Sequence, residues 1–459
     1  MFCQLEVLRH CFPPNVRRIL DDLPESLDET YERILREIRK PNQEHAQRLL
    51  QCLVAAIRPL KVEELAEVLA FDFDVKGIPK LNPDWRWKRQ EEAIMSACSS
   101  LVIVVEDGDS RIVQFSHFSV KEFLTENRLA KPVRDVSRYH IQLDAAHTVL
   151  AQACLGVLLR LDDRINRDNA ESFPLARYAG HHLVTHAQFE TVSSRIKDGM
   201  ERLFDIDQPY FAIWFWLAGD ENDFHCGTKG CTVNHHRPPP LYYAAKYGFR
   251  DLAEHIIAKH PDQMNAGFGR PGRQGTPMHA AAHAGHIDIL SLLLDHGVDV
   301  DILNQVKETP LLRASHSGKR EAGRYLLYRG ADINALDLIK LRALSYVTSR
   351  GDVEFARMLV ERGAATDVAI IGDETPLHTA VKLGAIELVR LLLEGGFDPN
   401  LPTDYGETPS HWAVIHHKSP ELVELLCEYG GDPAKPKPVI FPLPLYANHH
   451  YDMQHGFCL

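Results

Sequence analysis

The sequence predicts a predominantly α-helical protein, in which a helical N-terminal part with one small β-hairpin precedes a solenoid of about six helix-turn-helix repeats. Three observations carry this. A ten-residue phrase returns every 33 residues through most of the C-terminal two-fifths of the chain. Elsewhere, apolar residues recur three and four apart behind helix-start signals. At one place, two β-branched runs flank an Asp-Gly turn signal.

From the N-terminus, LPESLDETYERILREIR (23–39) opens with a proline entry and an acidic first turn and ends in cations. That charge order suits a helix dipole. A second helix is expected over about 43–57, where Leu49, Leu50, Leu53, Val54 and Ile57 share one side. RPLKVEELAEVLAFDF (58–73) adds a short turn and a third amphipathic helix, and a further helix near 90–98 follows the Trp85–Trp87 loop. LVIVV (101–105) and RIVQF (111–115) around EDGDS form the hairpin. Helical pattern resumes from about 135 to 220, in DAAHTVLAQACLGVLLRL with Asp144 as a candidate cap, then FPLARYAGHHLVTHAQF and VSSRIKDGMERLF.

The repeat phrase begins at Thr276 (TPMHAAAHAG), Thr309 (TPLLRASHSG), Thr375 (TPLHTAVKLG) and Thr408 (TPSHWAVIHH), with a degraded copy, RALSYVTSRG, at Arg342. Pro277, Pro310, Pro376 and Pro409 stand on a 33-residue ladder whose missing rung is Ala343; an earlier copy from Pro239 lies further upstream because AGFGRPGRQG lengthens one hairpin. Thr at the cap and Pro in the first turn start a helix. Gly285, Gly318, Gly351 and Gly384 end it, and a Leu-rich segment such as Ile289–Leu294 supplies a second helix. One such unit cannot bury its apolar stripe alone, so neighbours must stack.

This register resembles the ankyrin repeat. The resemblance implies a structural hydrogen bond for His279, His378 and His411, and a concave face made of hairpin tips and inner helices. The register places Tyr243, Lys246, Tyr247, His283, Arg313, His316, Tyr346, Ser349, Arg350, Thr379, Lys382, Trp412, Ile415 and His416 outward on that face. The stripe holds aromatics and cations and no carboxylate, although residues 236–435 carry 21 Lys and Arg against 26 Asp and Glu. Tyr, Trp and Arg are typical of interface hot spots. A protein partner with an acidic surface is therefore expected, against the alternative that these side chains merely solvate the stack.

Three helices followed by a hairpin make a winged-helix pattern. With LPESLDETYERIL, IRPLKVEELAEVLA and FSHFSVKEFL (115–124), the segment resembles the winged-helix domain that follows the NTPase module in NACHT-type signalling proteins. It is more closely similar to the fungal NACHT–ankyrin group of STAND, or NLR-like, proteins. The resemblance covers about residues 4–130 and divides the chain into a helical remnant of the NACHT-type module (1–40), a winged helix (41–130), a helical connector (131–235), ankyrin repeats (236–434) and a flexible tail (435–459). It also implies a nucleotide-sensing role for His117 in F-x-H-x-[ST]-x-x-E-F, matched by Phe115, His117, Ser119, Glu122 and Phe123. A structural role beneath the wing is the alternative, because the sequence has no GxxxxGK[ST] phosphate loop to supply the phosphate-cradling amides and lysine. The expected function is non-enzymatic protein–protein interaction or scaffolding, within NLR-like signalling. The alternative is a regulatory C-terminal fragment of a nucleotide-controlled NTPase switch.

Composition bounds these readings. The 459 residues are 45% hydrophobic and 25% charged, an ordinary globular balance, with a formal net charge of -12 that opposes general nucleic-acid binding. The helix that would enter DNA carries Glu63, Glu64 and Glu67 against Lys61, so phosphates would be repelled. Nine scattered cysteines fit reduced thiols in an intracellular, cytoplasmic setting. No apolar run reaches the roughly 18 to 20 residues that a membrane span needs. No GxSxG, HExxH or CxxC motif occurs, and Leu183 stands between His182 and His186 where a zinc protease needs Glu. No enzyme activity and no cofactor are expected. HCGTKGCTVNHH (225–236) is the one metal candidate: Cys226, Cys231, His235 and His236 offer two thiolates and two imidazoles, against the alternative of a plain linker.

Overall fold

The computed structural model describes residues 26–74, 77–85, 89–127, 129–130, 136–162, 165, 172–219, 239–268, 275–366, 374–403, 405–417 and 419–433. Residues 1–25, the Cys/His loop at 225–236 and the tail at 435–459 lie outside them. The chain divides into two compact units, 1–270 and 271–459.

The first unit begins with α1 (Leu27–Glu37), whose cap Ser26 accepts from the Glu29 amide at 3.2 Å. Then come α2 (Gln43–Ala55), β1 (Leu60–Lys61), α3 (Val62–Leu69), β2 (Phe71–Asp72), β3 (Lys80–Leu81) and α4 (Gln90–Cys98). The hairpin follows as β4 (Val102–Asp107) and β5 (Ser110–Phe115), and α5 (Phe118–Thr125) packs behind it. β4 and β5 pair antiparallel from Val102↔Phe115 to Asp107↔Ser110, and Gly108 closes the two-residue turn at φ 58°. That positive φ is why the turn uses glycine. β1 adds on the other side of β5, giving sheet order β1-β5-β4. Leu49, Leu50, Leu65, Val68, Ile94, Val102 and Val113, from three helices and two strands, share the core.

The structure changes the physical reason for setting aside DNA binding. Glu64 and Glu67 do not face solvent; they are 2% and 4% exposed. Glu64 takes a bidentate pair from Arg58 at 2.6 and 2.8 Å and accepts from the Lys61 amide at 2.8 Å. Glu67 accepts from the Leu175 amide at 2.8 Å. That bond ties α3 to a connector helix, so the face a DNA reader would insert is already covered.

The connector consists of α6 (Leu143–Leu158), α7 (Pro174–Ala187), α8 (Glu190–Arg195), α9 (Lys197–Leu203) and α10 (Tyr210–Ala218). A Cβ on Gly180 of α7 would lie 2.7 to 3.0 Å from Leu217 atoms, so the two helices meet closely there. Beyond it, α11 (Pro240–Tyr247) and α12 (Arg250–Lys259) form the first repeat, still within this unit. Phe211, Trp214 and Phe215 of α10 interlock edge-on or tilted with Tyr243, and Trp214 also meets Tyr247, at centroid distances of 5.5 to 6.4 Å. The connector thus covers the apolar flank that an end repeat would otherwise expose.

The second unit stacks five further helix pairs: α13 (Pro277–Ala284) with α14 (Ile287–Asp295), α15 (Pro310–His316) with α16 (Arg320–Tyr328), α17 (Ala343–Ser349) with α18 (Val353–Glu361), α19 (Pro376–Leu383) with α20 (Ile386–Glu394), and α21 (Pro409–Trp412) with α22 (Pro420–Glu428). One turn widens to π geometry at Ala413–His417, between α21 and α22. Thr309, Thr375 and Thr408 cap their helices, and the expected terminal glycines Gly285, Gly318, Gly351 and Gly384 all take positive φ. The degraded fourth copy has Arg342 at the cap without a capping bond, yet Ala343, Leu344 and Val347 are as buried as their counterparts. Packing therefore holds that rung in place without its capping chemistry.

Candidate interaction face

The repeat histidines build the frame of the face. His279 is 2% exposed; its Nδ1 accepts from the Thr276 amide at 3.2 Å, and its Nε2 donates to the Glu308 carbonyl at 2.9 Å. His378 repeats this with Thr375 at 3.1 Å and the Glu407 carbonyl at 3.0 Å. One imidazole thus closes its own helix cap and reaches the next hairpin. An amide N–H on Nδ1 requires the neutral tautomer protonated at Nε2. Burial, above all, lowers both pKa values to about 4. His411 makes the cap half of the arrangement, 3.0 Å from the Thr408 amide.

Of the residues expected on the outward stripe, Lys246, His283, Arg350, Lys382 and His416 are exposed, and Tyr247, Arg313, His316 and Tyr346 are half-buried. Tyr243 and Trp412 differ from that expectation: they are 7% and 6% exposed. The α10 aromatics surround Tyr243, and Lys246 lies over its ring at 5.5 Å. Trp412 sits edge-on between His378 and His416, at 5.2 Å from each, beneath the Lys382 ammonium at 5.4 Å. Both rings are packing elements, each presenting a cation to solvent above it.

The carboxylates missing from the stripe stand in the hairpins immediately behind it. Glu308 is 4% exposed and receives Arg313 at 3.4 Å and Asn304 at 2.7 Å. Asp337 is 6% exposed and accepts the Tyr346 hydroxyl at 2.5 Å. Glu407 accepts from the Trp412 indole at 2.9 Å. Arg350 reaches the His316 carbonyl at 3.2 Å, and the His316 and Tyr346 rings lie 5.0 Å apart. Arg313, Tyr346 and Trp412 are therefore held by carboxylates of their own repeat's hairpin, and Arg350 by the repeat before it, which lowers the entropy lost when a ligand docks. Part of this was legible: Glu308, Glu374 and Glu407 each precede a Thr-Pro at the repeat spacing. The inward turn of Glu308 and the Glu407–Trp412 bond were not.

His117 is exposed at the start of α5. Its Nδ1 accepts from the Ser119 amide at 3.3 Å and lies 2.7 Å from Ser119 Oγ, which meets the Tyr31 hydroxyl at 2.8 Å. Phe118, its ring tilted against that of His117 at 4.3 Å between centroids, is 72% exposed. The cysteines and histidines at 226, 231, 235 and 236 lie outside the described residues. Among the described residues, Asp205, Asp207 and His260 bring three ligand atoms within 4.8 Å of one another. No described helix is long and apolar enough to cross a membrane.

Residues 240–337 and 341–437 match the family described as ankyrin repeats (3 copies), and residues 31–133 match the family described as GPI inositol-deacylase, winged helix domain. The chain is 30% identical over 303 residues to the azaphilone pigments biosynthesis cluster protein L of Monascus ruber, covering 61% of each. It therefore spans about three-fifths of that relative's length. A shorter match, 38% over 63 residues, links it to alpha-latrocrustotoxin-Lt1a of Latrodectus tredecimguttatus, covering 14% of this chain and 4% of the toxin. A solved ankyrin repeat domain from Acinetobacter baumannii AYE is 28% identical, with a TM-score of 0.38, covering 42% of this chain and 98% of that one. The chain carries ankyrin repeats and a winged-helix domain, and its architecture is a mostly helical repeat solenoid with a small antiparallel sheet near the N-terminus.

Proposed function

We propose that the chain is a non-enzymatic interaction protein whose ankyrin array recognises a protein partner through its inner-helix face. The observation that carries this is the row of cations and rings His283, Arg313, His316, Tyr346, Arg350 and Lys382, in which Glu308 holds Arg313, Asp337 holds Tyr346, and the His316 carbonyl holds Arg350. Preorganised donors beside half-buried rings suit a partner surface, because little ordering cost remains at docking. The winged helix (41–130) and connector (131–235) would then carry the array (236–434), in the manner of the NLR-like group that the sequence resembles.

Photo-crosslinking tests the reading on the full chain. A benzophenone amino acid is placed at His283 or Lys382 on the inner face, and at Arg324 or Glu361 on the outer helices. Incubation with extract of the producing organism should give protein adducts from the inner positions only. Adducts from the outer positions alone would move the site.

A second reading, a regulatory fragment of a nucleotide-controlled switch acting under NLR-like control, draws on the exposure of His117 and Phe118 at the start of α5. Calorimetric titration with ADP separates the two. Binding that His117→Ala abolishes would favour the switch, and no heat would favour the adaptor.

A further inference from the structure

We infer that the hairpin tips at 303–307 and 336–340 form a docking platform for an acidic, amphipathic segment of a partner protein. This rests on the array being a protein-recognition platform and names the chemistry it accepts. The two tips are successive rungs, 33 residues apart, with Leu303 opposite Leu336 in the register and Lys307 opposite Lys340. They are joined where the Leu338 amide donates to the Val306 carbonyl at 2.9 Å.

Four large apolar side chains stand in water there: Leu303 at 56%, Leu336 at 44%, Leu338 at 61% and Ile339 at 48% exposure. A single exposed leucine means little, but four on two bonded hairpins make a contiguous patch. Lys307 and Lys340 flank it, both exposed and neither ion-paired among the described residues. The two carboxylates closest to them in sequence are turned away. Glu308 and Asp337 point inward, where Arg313, Asn304 and Tyr346 take them. Asp299, Asp301 and Asp332 lie at the hairpin roots, where Asp301 accepts the Asp332 amide at 3.1 Å. A chain of net charge -12 therefore offers an apolar patch edged by cations at these tips. Its complement is a surface that alternates apolar side chains with carboxylates. A protein segment fits better than an anionic bilayer, because Arg350, oriented by the His316 carbonyl and with further N–H groups left, continues the surface inward and rewards directional contacts.

The probe is a fluorescein-labelled amphipathic peptide of leucine and glutamate, with its leucine–lysine counterpart as control, titrated against the full chain by fluorescence anisotropy. The acidic peptide should bind at least about tenfold more tightly than the basic one, weakening with salt as exposed charge pairs do. Lys307→Glu with Lys340→Glu should cost about tenfold or more in Kd. Leu338→Ser with Ile339→Ser, which removes only exposed apolar surface, should do the same without altering the far-ultraviolet circular dichroism. Equal binding of the two peptides, no binding, or a Kd unchanged in both double variants overturns the inference. So does competition by anionic phospholipid vesicles, which would make the patch a membrane contact. Inner-face crosslinks at His283 and Lys382 do not depend on these tips. If they persist while the peptide fails, only the tip chemistry is wrong; if they too are lost, the recognition reading falls with it.

Discussion

Lys307 and Lys340 occupy φ values of 57° and 62°, where the corresponding hairpin at Gly406 uses glycine at 74°. A side chain in that region costs about 1–2 kcal/mol, partly offset by the extra freedom glycine has when unfolded. Lys307→Gly and Lys340→Gly are therefore each expected to stabilise the array by up to about 1 kcal/mol, read as a raised urea midpoint. His279 presents the opposite case. His279→Ala removes the cap bond to Thr276 and leaves the buried Glu308 carbonyl without its imidazole donor. The expected loss is about 2–3 kcal/mol, and a fall of under 0.5 kcal/mol would show that the inter-repeat bond contributes little.

At the scale of elements, the outer helices α16 and α18 meet at a glycine. A Cβ on Gly323 would collide with the Phe355 ring. In an exposed helix, Gly→Ala gains up to about 1 kcal/mol of propensity. Here overpacking should win, and Gly323→Ala is expected to lower stability by about 1–3 kcal/mol, measured by denaturant unfolding. The same reasoning holds for Gly180, whose added Cβ would meet Leu217 side-chain and backbone atoms. Helix periodicity predicted both helices but not their glycines' purpose, because a residue that permits close approach has no pattern of its own.

Across the whole molecule, the clearest titration lies in buried neutral histidines. In the first unit, the Ile57 amide donates to the Tyr178 hydroxyl at 3.3 Å, that hydroxyl lies 2.9 Å from His186 Nε2, and His186 Nδ1 lies 2.8 Å from His147 Nδ1. Burial, with the neighbouring histidines, lowers His186 to about 3, and burial lowers His147 and His182 as well. In the second unit His279 and His378 are lowered to about 4. Below the ordinary histidine value the unfolded chain binds protons that the folded one refuses, so stability falls as pH drops from about 6.5 towards 4. At pH 5 the expected loss is about 2 kcal/mol for each of His186, His279 and His378. Thermal midpoints at pH 7.5 and 5.0 check this, and His186→Gln and His279→Gln should each flatten the dependence. A midpoint insensitive to pH would mean that these sites accept protons in the folded state.

The sequence by itself determined the repeat. Thr, Pro, His and Gly recur at a spacing that only stacked helix pairs explain, and each has a local reason for its place: a cap, a first turn, a left-handed end. The hairpin at 102–115 was equally legible, since β-branched runs around Asp-Gly need nothing distant to define them. Only the tertiary structure decided which side chains on the binding stripe are presented. Tyr243 and Trp412 sit at outward positions in the register, yet aromatic rings from α10 cover the first and His378, His416 and Lys382 enclose the second. It also turned Glu308 and Asp337 inward, leaving Lys307 and Lys340 at the tips without an ion pair among the described residues. Periodicity reports where a Cβ points along one helix. Whether that direction ends in water or in a neighbour depends on residues tens of positions away, which no local pattern encodes.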